Sequence, residues 1–210
     1  MKLTPVEVMS ELYDLAYNMH LVFERHKLSY FLAFGSAVGA IRHGGIIPWD
    51  DDLDVIINEE SEELFLSKVQ NELLKDKKIR IVEGSPDSVW DYKLVSVLRQ
   101  SKLFPTCDVF VMRLDITRKM YTFRNVNLKN TRNHKFNESA MHPKLINFGH
   151  FQMRVLSNDS YEYLFNEYSK YWRSVASTKH YDHYADLPLI RMTFHIPKNL
   201  SFLVKSNKTI

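Results

Sequence analysis

The segment Pro48-Trp49-Asp50-Asp51-Asp52-Leu53-Asp54 packs four aspartates into five positions, and no other feature limits so tightly what the chain can become. Carboxylates this close repel one another unless positive charge sits among them, so the fold has to carry the segment to a place that a cation can reach. Alternation along an extended chain puts Asp52 and Asp54 on one face, with Cα atoms about 6.7 Å apart, and Leu53, Val55 and Ile57 on the other. One strand thus has an acidic face and a core face. Two carboxylates so placed converge on one or two divalent ions. With oxygen donors and a single cysteine, Cys107, in the chain, Mg²⁺ or Mn²⁺ suits them better than zinc.

Upstream, the apolar run 29–34 (SYFLAF) reads as a buried strand ending at Gly35, and residues 36–42 as a short helix closed by His43-Gly44-Gly45. A strand-to-helix turn offers free backbone N–H groups and the positive end of the helix dipole to an anion. Gly35 lets the chain approach a phosphate and Ser36 adds a hydroxyl. Arg42 either pairs with a phosphate oxygen or caps the helix end, His43 has the same two roles, and Trp49 either stacks on a ligand or anchors its loop. A phosphate cradle followed by metal ligands points to metal-assisted transfer of a phosphorus group. Two other loops are excluded on the letters. A calcium EF-hand starting at Asp50 would need glycine at Val55 and glutamate at Ser61, and a Walker-type loop would need a lysine that GSAVGAIRH lacks.

The rest of the chain reads as an α/β (α+β) domain with a mixed sheet flanked by helices. Thr4-Pro5-x-Glu7 has the form of a capping box, and Val8, Leu12, Leu15, Met19 and Val22 follow at helical spacing, predicting a helix over 5–26. A second helix is expected over 61–75. Strands are expected over 79–83, 89–99, 107–115 and 120–126, and an aromatic helix over 157–176. The chain of 210 residues is read as a single domain over 1–210, with its core about 28–115 and a helical C-terminal part about 137–210. Residues 116–135 hold six Lys or Arg and no Asp or Glu, as an exposed loop or as a grip for an anionic acceptor or a membrane surface, with Arg124 and Lys129 the residues to test. Lys93 and Arg99 are expected to flank the acidic face, where solvated sheet charges are the commoner case. No signal-peptide core begins the chain, and the apolar stretch 30–41 is too short to cross a bilayer, so the expected location is cytoplasmic.

The run GSAVGAIRHGGIIPWDDDLDV, residues 35–55, resembles the LicD family, which includes the fukutin-type enzymes and belongs to the polymerase-β-like nucleotidyltransferase superfold. The superfold's glycine-serine and Asp-hydrophobic-Asp pattern lands on Gly35-Ser36 and Asp52-Leu53-Asp54. The resemblance implies a nucleotidyltransferase-like fold and a third carboxylate on a neighbouring strand, carried here to Asp108 of CDVFVMRLD, with Asp115 the lesser candidate. It implies that Asp52, Asp54 and Asp108 are catalytic and bind Mg²⁺ or Mn²⁺, while Gly35, Ser36 and Arg42 bind substrate. The implied reaction moves phosphocholine or an alditol phosphate from a CDP-linked donor to a hydroxyl of a glycan or glycoconjugate, releasing CMP. No nucleic acid is expected, and a peripheral membrane contact is left open. The alternatives are a nucleotidyltransferase moving NMP from an NTP and a non-catalytic nucleotide-binding homologue.

Overall fold

The computed structural model describes residues 3–75, 79–97, 105–125, 135–138 and 141–157, and short stretches at 170–177, 181–182, 187–188 and 193–196. Helix α1 (Val6–Arg25) buries Val8, Leu12, Leu15, Ala16, Met19 and Phe23 along one stripe, the face its periodicity predicts. Strand β1 (Tyr30–Leu32) leads into α2 (Phe34–His43), which Gly44 ends in the left-handed conformation at φ 71°. Strand β2 is Leu53–Asn58. Short helices α3 (Glu62–Leu64) and α4 (Gln70–Lys75) are joined by a π-helical stretch, Phe65–Val69. The helix expected over 61–75 forms, but is underwound over that stretch, where i→i+5 bonds replace the i→i+4 ones. Phe65, Val69 and Leu73 recur every four residues and all three are buried, the spacing of a helix's core face.

Strands β3 (Ile79–Glu83), β4 (Tyr92–Ser96), β5 (Thr106–Asp115), β6 (Met120–Phe123) and β7 (Lys135–Asn137) complete a seven-stranded sheet. Its order is β1-β2-β5-β4-β3, with β6 against the far half of β5 and β7 beside β6. Only β2 and β5 run parallel; every other pairing in this sheet is antiparallel. The sheet's inner face, Leu53, Val55, Cys107 and Val109, is fully buried. The Cys107 thiol reaches Met19 of α1 at 3.6 Å, and Phe23 packs on Phe65 at 6.2 Å. A hairpin, β8 (Lys144–Phe148) and β9 (Phe151–Val155), turns at Gly149 (φ 63°) and is tied to α1 by Arg154 on Glu24.

Three expectations change. The strand foreseen over 89–99 is confined to Tyr92–Ser96, because residues 84–91 form a bend in which Gly84 passes so near Trp90 that a Cβ would stand 2.3 Å from its carbonyl oxygen. The aromatic helix foreseen over 157–176 falls mostly outside the described residues, and its described end is a turn followed by strand Val175–Ser177, paired with Thr193–His195. Arg124, read as part of an exposed loop or an acceptor grip, is engaged within the fold. Its guanidinium binds Asp91 at 2.8 and 3.1 Å and Glu62 at 2.5 and 2.6 Å, while Asp91 also accepts the Val111 N–H at 2.7 Å. Lys129 lies outside the described residues.

This network joins α3, the bend before β4 and the end of β6. Truncating Arg124 would leave Asp91, only 6% exposed, as a buried charge without its cation. Arg124→Met is therefore expected to lower stability by about 2–4 kcal/mol in urea unfolding. A loss below about 0.5 kcal/mol, the range of ordinary surface changes, would show that the network does not hold these elements together.

Candidate active site

Two pairings assemble the acidic site. Because β1 is antiparallel to β2, the chain leaves β1 beside the start of β2: the Ala33 N–H donates to the Asp54 carbonyl at 2.9 Å, and the Asp54 N–H donates to Ser36 Oγ at 2.9 Å. Gly35 and Ser36 thus sit in the first turn of α2, against the acidic strand. Phe34, just before them, is held at φ 39°, a strained conformation for a bulky residue. Its ring is locked between Phe110 and Phe123 at 5.2 and 5.8 Å. The second pairing is the parallel one, in which Asp54 stands opposite Asp108.

Asp52 lies just before β2 rather than within it, and its carboxylate groups with those of Asp50 and Asp51, the oxygens lying within 4.8 Å of one another. Among the described residues that group takes in neither Asp54 nor Asp108. Asp51 is 1% exposed. All three strand-end acids act on the Cys107 thiol: beyond the effect of burial, the charges of Asp108, Asp54 and Asp52 push it up. A set of carboxylate oxygens crowded at one strand end fits a hard divalent cation. Lys93 stands opposite Asp108 on β4, its Nζ 2.9 Å from Asp108 Oδ1. Arg99 lies outside the described residues, and Asp115 is at the far end of β5, where it accepts the Arg118 N–H.

The loop that carries the acids is held from three distant places. Thr4 is not the cap of α1, whose capping residue is Pro5 without a side-chain bond. Instead its N–H donates to the Pro48 carbonyl at 3.0 Å and its hydroxyl to the Asp50 carbonyl at 2.6 Å. Tyr13 Oη accepts the Ile46 N–H at 3.0 Å, and the Gly149 N–H donates to the Gly44 carbonyl at 2.6 Å. A Cβ on Gly149 would meet the Tyr13 ring at 2.6 Å, and one on Gly39 would meet the Gly45 carbonyl oxygen at 2.5 Å. Nothing in the sequence pattern marked Thr4, Tyr13 or Gly149 as supports of the acidic loop, since each acts across a long separation.

Arg42 sits two turns beyond Ser36, and Nη1 donates to the Trp172 carbonyl at 2.8 Å while Nε donates to His43 Nε2 at 2.9 Å. Its observed work is to tie the turn around Trp172 to the motif. Trp49 is 6% exposed, its ring edge-on to His43 at 5.6 Å, which is the loop-anchor arrangement. His43 is 4% exposed; burial, aided by the Arg42 charge, pushes it down to about 4.

Such an arrangement, an acidic strand pair beside a helix start in a mixed sheet, defines a nucleotidyltransferase-type domain. Residues 27–158 match the family described as LicD/FKTN/FKRP, nucleotidyltransferase domain, well over half of the chain. The chain belongs to the LicD family. A stretch of 47 residues is 49% identical to lipopolysaccharide cholinephosphotransferase LicD of Haemophilus influenzae, covering 22% of this chain and 18% of that protein. Another of 51 residues is 43% identical to an uncharacterized protein of Rickettsia prowazekii, covering 24% of this chain and 19% of that one. The matched stretches span under a fifth of these relatives' lengths. Among solved structures, ANT(2")-Ia in complex with adenylyl-2"-tobramycin is similar at TM-score 0.41 and 13% identity, over 78% of each chain. No helix among the described residues is long and apolar enough to cross a membrane.

Buried His43 makes the motif acid-sensitive. Its folded-state value, about 4, lies below the ordinary 6.5, so the unfolded chain takes the proton first. The stability contributed by neutral His43 is complete above pH 6.5 and drains as pH falls towards 4, by up to about 3 kcal/mol. Urea unfolding at pH 7.5 and 4.5 should show a smaller acid loss in His43→Gln than in the parent protein; equal losses would place the acid sensitivity elsewhere.

Proposed function

We propose that this chain is a metal-dependent phosphotransferase that moves phosphocholine or an alditol phosphate from a CDP-linked donor to a hydroxyl of a glycan or glycoconjugate. The observation that carries the reading is the opposition of Asp54 and Asp108 across β2 and β5, beside the Asp50–Asp52 carboxylates and the first turn of α2. Membership of the LicD family and the likeness to a cholinephosphotransferase support the transferred group.

In this reading Asp52, Asp54 and Asp108 hold Mg²⁺ or Mn²⁺. The ion supplies positive charge to the donor's diphosphate and to the departing phosphate. Ser36 accepts the Asp54 N–H, which leaves its own O–H as a donor, and with the N–H groups at the start of α2 it would orient a phosphate. The acceptor hydroxyl oxygen forms a bond to the phosphorus bearing the transferred group, the bond from that phosphorus to the CMP oxygen breaks, and the hydroxyl proton passes to the Asp108 carboxylate. Arg42 acts from the other end of α2 by fixing the Trp172 turn.

Nucleotidyl transfer from an NTP is the second reading, favoured by the family's nucleotidyltransferase-domain description. The two differ in product. With CDP-choline, CDP-ribitol or CDP-glycerol and a lipopolysaccharide or glycan acceptor, the expected outcome is Mg²⁺-dependent release of CMP, reduced on the order of 10²–10³-fold in Asp52→Asn and Asp54→Asn while both variants still melt cooperatively. Pyrophosphate release from CTP or ATP would select nucleotidyl transfer. Turnover unaffected by Asp52→Asn would remove the metal scheme altogether.

A further inference from the structure

The strand order builds a positive charge into the acidic face. Asp54 of β2, Asp108 of β5 and Lys93 of β4 occupy matching register positions on three adjacent strands, an acid, an acid and a base in one row. Lys93 Nζ is 2.9 Å from Asp108 Oδ1, with the two side chains 19% and 13% exposed. Trp90 covers the ammonium, its ring centroid 4.9 Å from Nζ. An exposed lysine pair is worth little because the side chain moves freely and water screens it. This one is largely out of water, fixed by a neighbouring strand and packed on an aromatic face.

A fixed ammonium in that place has two effects of opposite sign. It raises the local potential, which weakens a divalent cation held by the neighbouring carboxylates, and it strengthens a phosphate brought to the same region. It also holds Asp108 Oδ1 on the β4 side of the row, across β5 from Asp54. We propose that Lys93 is a positioning residue of this site: it holds Asp108 and sets the row's charge so that a divalent cation is retained together with a nucleoside diphosphate rather than alone. This rests on the metal-site reading given above.

The test measures Mn²⁺ alone, by electron paramagnetic resonance of the free ion, and CDP at saturating Mn²⁺, by calorimetry. Lys93→Met should bind Mn²⁺ on the order of tenfold more tightly and CDP on the order of tenfold more weakly. Lys93→Arg, which keeps the charge, should stay within about twofold of the parent for both. Opposite shifts cannot come from lost packing, which would weaken both ligands together. Mn²⁺ affinity unchanged or weaker in Lys93→Met, with Asp52→Asn abolishing Mn²⁺ binding, overturns the role of Lys93 alone. Mn²⁺ binding that survives intact in Asp52→Asn overturns the metal-site reading instead. If circular dichroism shows Lys93→Met unfolded, Lys93→Gln carries the same expectations and the same refutation.

Discussion

Register between β2 and β5 sets Leu53 against Cys107 and, one step along, Asp54 against Asp108, and the acidic end of the molecule is arranged around that pairing. The carboxylates do not hold the register, since like charges side by side oppose it. The inner face does. Leu53, Val55, Ile57, Cys107, Val109 and Val111 are all fully buried, and a slip by one residue would turn that entire set outward and drive Asp54 in among Met19 and Phe23. At roughly 25 cal/mol for each Å² of apolar surface removed from water, burial on the inner face fixes the geometry of the outer one. The long β5 strand extends this control, since one backbone aligns Asp108 with both Asp54 and Lys93.

What strands cannot hold is the loop just before β2, and here the protein uses single hydrogen bonds from remote positions. Thr4 precedes the first helix, Tyr13 sits on it, and Gly149 lies at the tip of the β8–β9 hairpin, yet each satisfies or engages a backbone group between Gly44 and Asp50. Individually such bonds contribute about 1 kcal/mol. Together they keep an acidic loop in one conformation although repulsion among Asp50, Asp51 and Asp52 would spread it. The strained φ of Phe34 belongs to the same design, because packing on Phe110 and Phe123 pins the turn that presents Gly35 and Ser36.

The parts of this arrangement that were legible in the sequence are those with short-range patterns. The helix of Val8, Leu12, Leu15 and Met19, the strand after the aspartates, the turn at Gly44 and the run 107–115 follow from spacing. Asp108, in turn, followed from the family resemblance. Roles set by distant partners were not legible. Thr4 has the letters of a helix cap but serves carbonyls more than forty residues away. Arg124 lies in a basic run that reads as surface, and only folding shows two carboxylates from other elements converging on it. The four-residue spacing of Phe65, Val69 and Leu73 was visible as a helix face, whereas the π-helical stretch over Phe65–Val69 has no mark in that spacing. Register likewise separates Asp54 and Asp108 from the Asp50–Asp52 group, a division that strand alternation alone does not announce.

Arg124 and Lys93 hold their carboxylates in ways that differ and that bear on what each place can do. Arg124 presents a planar fork; it binds both oxygens of Glu62 and one of Asp91, whose other oxygen takes the Val111 N–H. Those carboxylates have protein hydrogens on every oxygen, so a metal or ligand entering there would first have to break bonds that the fold depends on. Lys93 offers a compact ammonium on a flexible stem, directed at one oxygen of Asp108. A point charge of that kind can shift by an ångström without dismantling a strand pairing, and its partner can then share its charge with an incoming cation. The closed arginine network fixes elements in place, and the lysine pair, on the row that includes Asp54, is the one of the two whose geometry permits exchange.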